Sequence, residues 1–118
     1  MNDLTIYHNP RCSKSRQTLQ IIKNQGIKPT VVEYLKTPLN KFELENISRL
    51  LKMRPKDFVR KSEVDFKKNN IKNIIENDTK LITEMAKYPK IIERPIVIFE
   101  DKAVIGRPPE NVLELLNY

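Results

Sequence analysis

The chain has 118 residues, 39% hydrophobic and 31% charged, which is the length and balance of one folded domain with a single core. That composition excludes disordered and fibrous classes, and no apolar stretch reaches the ~18 to 20 residues that span a bilayer. Lys and Arg exceed Asp and Glu by 22 to 15, a formal net charge of +7 that favours an anionic partner such as an oxyanion or a phosphorylated ligand.

The first element is a short strand, Leu4-Thr5-Ile6-Tyr7, alternating apolar and polar and stopped by His8-Asn9-Pro10. A helix is predicted from Ser13, with Leu19 and Ile22 on its inner face and Gly26 as its stop. Lys28-Pro29 then leads into a strand over residues 30–34. Strand, helix and strand in so short a span imply a parallel pair joined by a right-handed crossover.

The middle of the chain reads as helical throughout. Asn40 and Glu43 have the spacing of a capping box ahead of Leu44, Ile47, Leu50 and Leu51. Pro55 suits a first helical position, Ser62 to Asp65 is another start, and Leu81, Met85 and Tyr88 form a stripe in a helix capped near Asp78 and ended by Pro89. The tail supplies a strand over 96–99, a tight turn at Glu100-Asp101-Lys102, and a strand over 103–105. A last helix begins at Pro108-Pro109 with Val112, Leu113 and Leu116 inward. The expected class is α/β with a mixed sheet: β-α-β, a helical insertion over about residues 38–88, then β-β-α. One domain is expected over residues 1–118.

Cys12 is the one cysteine, so an intrachain disulfide is excluded, as are metal sites built on cysteine pairs, and no metal is expected. The N-terminus lacks a basic region followed by an apolar run, so no signal peptide is expected, and with a lone thiol this points to the cytoplasm. Fifteen of the 22 cations are lysines scattered among acids. The densest group, Lys67-Lys68 with Lys72, has no interleaved aromatics, so neither a nucleic-acid nor a membrane partner is expected.

Cys12 follows a strand and a proline turn and precedes a helix, where unpaired first-turn amides favour the thiolate. Arg11, Lys14 and Arg16 flank it. The alternative for a lone cysteine is a small buried hydrophobe, which the polar, proline-bounded setting opposes. A phosphatase loop would need arginine six residues on, where Thr18 stands. A dithiol motif would need cysteine three residues on, where Ser15 stands. Any oxidised Cys12 must therefore be resolved by a thiol from another molecule. Ser15 could bond the sulfur or cap the first turn. His8, the one histidine, could serve Cys12 or be a structural hydrogen-bonded residue.

Four runs carry a resemblance: Tyr7-His8-Asn9-Pro10-Arg11-Cys12-Ser13-Lys14-Ser15-Arg16, Phe58-Val59-Arg60-Lys61-Ser62-Glu63, Ile92-Glu93-Arg94-Pro95-Ile96-Val97, and Val104-Ile105-Gly106-Arg107-Pro108-Pro109-Glu110. Together they resemble the glutaredoxin-dependent arsenate reductases, a thioredoxin-fold family, over nearly the whole chain. The resemblance implies Cys12 as nucleophile, Arg60, Arg94 and Arg107 as oxyanion ligands, His8 in support of the thiolate, and Pro95 as the cis-proline of the fold. It implies arsenate as substrate, glutathione as co-substrate and glutaredoxin as partner, with no bound cofactor; a monomer is expected. Arginine suits a tetrahedral oxyanion because its planar fork meets two oxygens at once and keeps its charge. Two other readings are a glutathione-dependent thiol reductase of another substrate and a non-enzymatic regulator that binds RNA polymerase. The paired cysteine switch of regulatory relatives is not in this sequence.

Overall fold

The computed structural model describes residues 3–116 and divides the chain into two compact units, Met1–Thr37 with Arg94–Tyr118, and Pro38–Glu93. The second unit begins where the helical insertion was expected and runs past residue 88 to Glu93.

The first unit is built on a four-stranded sheet of β1 (Leu4–Tyr7), β2 (Thr30–Val32), β3 (Ile96–Phe99) and β4 (Lys102–Ile105), in the order β2-β1-β3-β4. β1 runs parallel to β2 with Ile6 opposite Val31, and antiparallel to β3 with Ile6 opposite Val97. β3 pairs antiparallel with β4. The crossover from β1 to β2 is α1 (Ser13–Asn24), and the chain closes with α5 (Val112–Leu116). This mixed sheet in β-α-β then β-β-α order is the predicted thioredoxin-like arrangement.

Alternation along β1 turns Leu4 and Ile6 into the core, where they meet Ile22, Val97, Phe99, Val112 and Leu115. Burying one such side chain contributes roughly 1.5 to 3 kcal/mol, so this cluster holds sheet and helices together. Gly26 adopts φ of +77° just after α1, a left-handed conformation that glycine reaches without cost.

The sequence-based expectation fails at two places here. β2 stops at Val32 instead of residue 34, because the Glu33 carbonyl accepts the N–H groups of Lys36 and Thr37 and turns the chain, dropping Tyr34 into the interior. At the C-terminal end Leu115, not Leu113, is buried beside Val112, since within α5 residues three apart share a face and adjacent residues do not.

The second unit holds α2 (Lys41–Leu51), α3 (Val64–Lys68) and α4 (Asp78–Lys87). The capping box forms as predicted: Asn40 Oδ1 accepts the Glu43 amide at 2.8 Å, and Glu43 Oε1 accepts the Asn40 amide at 3.0 Å. Leu44, Ile47 and Leu51 are buried by α2, and Leu81, Ile82 and Met85 by α4. This unit is not helical throughout. Pro55 opens only a 3-10 turn to Asp57, and Val59 bridges Ile92 antiparallel, with Arg60 N–H donating to Ile91 O at 2.6 Å and Glu93 N–H to Phe58 O at 2.9 Å. Among the described residues no helix is long and apolar enough to cross a membrane.

Candidate active site

The turn after β1 is shaped by Asn9. Its Oδ1 accepts the Arg11 amide at 3.0 Å and its carbonyl accepts the Cys12 amide at 3.0 Å, so Asn-Pro acts as a local turn and delivers Cys12 to the N-cap of α1. Cys12 has extended backbone, φ −93° and ψ 122°. The residue is half-buried.

Burial of the sulfur opposes ionisation, but the Ser15 amide, the Arg94 side chain, the Lys14 amide and the Arg94 charge outweigh it. The Cys12 thiol is therefore held below its ordinary value. Arg107 adds a second guanidinium, with its Nη2 at 3.6 Å from Cys12 Sγ and its Nε donating to Arg94 O at 2.9 Å. The two arginines thus reach the sulfur from segments that are themselves joined, since Gly106 N–H donates to Pro95 O at 2.9 Å. Arg94-Pro95 is a cis peptide bond, and so is Arg107-Pro108, which sequence reasoning had not singled out.

His8 and Ser15 are both buried, and they bond to each other. His8 Nδ1 lies 2.6 Å from Ser15 Oγ, and the same oxygen accepts the Asn9 amide at 3.1 Å. Of the two sequence-based options for Ser15, its hydroxyl thus serves the turn and the histidine, and it is the backbone amide of Ser15 that acts on sulfur. Burial lowers the His8 pKa, aided by Arg16 and Lys23 and opposed by Glu33.

The first unit therefore brings together Cys12, Arg94, Arg107, Ser15, His8 and Pro95. Arg60 belongs to the second unit, where Nε donates to Glu63 Oε2 at 3.1 Å and Nη1 to Glu93 Oε1 at 2.9 Å. Those carboxylates outweigh the effect of burial and raise its pKa, fixing its charge. Among the described residues no group of three or more His, Cys, Asp or Glu is arranged to hold a metal ion.

A thiol poised for ionisation beside two convergent guanidinium groups suits nucleophilic attack on an anion. The sequence profile of the ArsC family matches residues 7–115, which takes in every one of these residues. The chain belongs to the ArsC family. An uncharacterised protein of Escherichia coli strain K12, YfgD, is 45% identical, covering 94% of each chain. An arsenate reductase of Haemophilus influenzae is 42% identical over 94% of this chain and 97% of its own. The solved structure of an arsenate reductase from Vibrio cholerae superposes with a TM-score of 0.91 at 43% identity, covering 95% of this chain and 96% of that one. The thioredoxin-like fold is shared with that structure.

Sequence reasoning assigns no site role to Asn9, Thr18 or Asn111. The Asn-Pro pair was a legible turn signal for Asn9. Nothing local marks Thr18, whose contact with the Gly106 carbonyl spans 88 residues, and Asn111, which bonds the nearby Ile105 and Arg107 carbonyls, reads in sequence only as part of a proline turn.

Proposed function

We propose that this ArsC-family chain is an arsenate reductase with Cys12 as its nucleophile, Arg94 and Arg107 as oxyanion ligands, and glutathione with glutaredoxin as the source of electrons. The observation that carries the reading is the approach of two guanidinium groups to the sulfur of a half-buried cysteine at a helix N-terminus. The Cys12 thiolate attacks arsenic and forms an S–As bond while one oxygen leaves as water, with arsenic still As(V). A glutathione thiolate then attacks Cys12 Sγ. The S–As bond breaks with its electron pair left on arsenic, which departs as arsenite, and Cys12 is left in a mixed disulfide. A second glutathione thiol, delivered through glutaredoxin, cleaves that disulfide, so two thiols are oxidised for each arsenic reduced.

His8 and Ser15 support the thiolate indirectly in this reading. The buried hydroxyl ties residue 15 to the histidine and to Asn9, which steadies the amide that favours the charged sulfur. Phosphate competes for the arginines without turnover, because thiols reduce As(V) and not P(V). A thiol-dependent route also calls for a reducing compartment, which supports the cytoplasm as the site of action.

The test is arsenite production from arsenate with glutathione, glutaredoxin and wild-type protein beside Cys12→Ser. Turnover is expected only with the wild type, and mass spectrometry of trapped enzyme should find one glutathione on Cys12. Wild-type protein that turns over other disulfide or thiol substrates but yields no arsenite would overturn arsenate as the substrate. Efficient turnover with thioredoxin and its reductase alone would overturn the glutathione route.

A further inference from the structure

We propose that Thr18 and Asn111 are positioning residues that hold Arg107 against the Cys12 sulfur. The inference rests on Cys12 being the reactive thiol, as argued above. Arginine has a long stem with ~2 kcal/mol of rotamer entropy, so a guanidinium stays at one atom only if the backbone that carries it is fixed. Three successive carbonyls around Arg107 are taken by these two side chains. Asn111 Nδ2 donates to Arg107 O at 2.9 Å and to Ile105 O at 3.3 Å, and Thr18 Oγ1 donates to Gly106 O at 3.3 Å.

Thr18 is fully buried, and its single hydroxyl proton is shared between Gly106 O and Lys14 O, the latter at 2.8 Å one turn back on α1. Packing tightens the seat. A Cβ on Gly106 would lie 2.5 Å from Thr18 Oγ1 and 2.8 Å from Pro95 Cγ, so the backbone runs between the threonine and the proline ring with no room to shift toward either. Cys12 is the N-cap of the helix that carries Thr18. One rigid element therefore bears both the nucleophile and the contact that places the arginine segment, at ~1.5 Å of rise per residue between them. Asn111 closes the other side from the 3-10 turn ahead of α5. Valine at position 18 would keep the shape but set a methyl against the Gly106 carbonyl, leaving a buried acceptor without its donor.

The experiment measures the pH midpoint of Cys12 alkylation by iodoacetamide, which involves no arsenate, in wild type, Thr18→Val, Thr18→Ser, Asn111→Ala, Arg107→Ala and the Thr18→Val/Arg107→Ala double variant. Thr18→Val and Asn111→Ala should each raise the midpoint by about half a unit, no more than Arg107→Ala does, and Thr18→Ser should restore it. The double variant should match Arg107→Ala alone, since a residue acting through Arg107 has nothing left to position. Wild-type midpoints in both Thr18→Val and Asn111→Ala, or a full additional shift in the double variant, would overturn the proposal. If Thr18→Val does not fold, Asn111→Ala carries the same expectation. Loss of arsenate turnover in the wild type would count against the proposed function and leave these midpoints to decide the role of Thr18 and Asn111.

Discussion

Ser15 Oγ lies 2.6 Å from His8 Nδ1, both residues buried, and accepts the amide of the half-buried Asn9 at 3.1 Å. A buried hydroxyl proton needs an acceptor, and a neutral imidazole with its proton on Nε2 offers Nδ1 as one. Burial lowers the His8 pKa in the same direction, with Arg16 and Lys23 adding to it and Glu33 opposing.

The pH dependence follows with a definite sign. A histidine whose folded-state pKa lies below its unfolded value of about 6.5 takes up its proton more readily when unfolded. Its contribution to stability is complete above pH ~6.5 and is lost as pH falls through the folded-state value. Urea unfolding at pH 7.5 and pH 5 should show wild type losing more stability over that window than His8→Gln. Equal losses in the two proteins would contradict the neutral, buried histidine.

Ser15→Ala removes two hydrogen bonds at once and leaves the Asn9 amide and His8 Nδ1 without the oxygen they share. A cost of ~1 to 3 kcal/mol is expected in urea unfolding. Cys12 alkylation should move only modestly upward in pH, because the amide of residue 15 survives the substitution. A shift as large as that of Arg94→Ala would mean that the hydroxyl, not the amide, serves the sulfur.

The strands, the crossover helix and the capping box at Asn40 were legible because each is a local pattern: alternation at Leu4 and Ile6, a Gly stop, an Asn-x-x-Glu spacing. The end of β2 was not, since the carbonyl of Glu33 turns the chain by accepting two amides that no periodicity announces. The bridge between Val59 and Ile92 was equally hidden, because it pairs residues far apart in sequence within a stretch of helical composition. At the site, Cys12 could be read from its neighbours and the helix start, and the arginines from the family resemblance. The partner of Ser15 is different in kind. Asn9, His8 and Cys12 lie three to seven residues from it, across a turn whose path decides which of them meets the hydroxyl.

Arg94→Ala and Arg107→Ala should raise the KM for arsenate far more than they lower the melting temperature. A charge-assisted bond to an anion contributes ~1.5 to 3 kcal/mol, roughly tenfold to a hundredfold in affinity, and partly exposed arginines contribute little to folding. Steady-state kinetics beside thermal unfolding separates the two effects. Wild-type KM in both variants would rule out these arginines as oxyanion ligands.

Gly106→Ala adds a single methyl where Thr18 Oγ1 and Pro95 Cγ leave no space, at 2.5 and 2.8 Å from the new carbon. Overpacking of this kind costs ~1 to 3 kcal/mol. The displaced segment carries Arg107, so the variant should both melt lower and show a higher pH midpoint for Cys12 alkylation. A variant with wild-type melting and wild-type alkylation would show that the segment can relax freely.

Arg60 is pinned by Glu63 and Glu93, with its side chain 18% exposed and the carboxylates 24% and 25% exposed. Removing the guanidinium leaves two carboxylates facing a vacated position, so Arg60→Ala should cost ~1 to 3 kcal/mol in urea unfolding, with a smaller effect at high salt. The family resemblance also assigns Arg60 to the oxyanion, and on that assignment its loss raises the KM for arsenate. Glu63→Gln and Glu93→Gln separate the two roles. Each loosens the arginine without deleting its charge, so each should lower stability and leave the KM increase smaller than that of Arg60→Ala. If Arg60→Ala destabilised the fold but kept the wild-type KM, the residue would be an ion-pair hub of the second unit and not a ligand of the substrate.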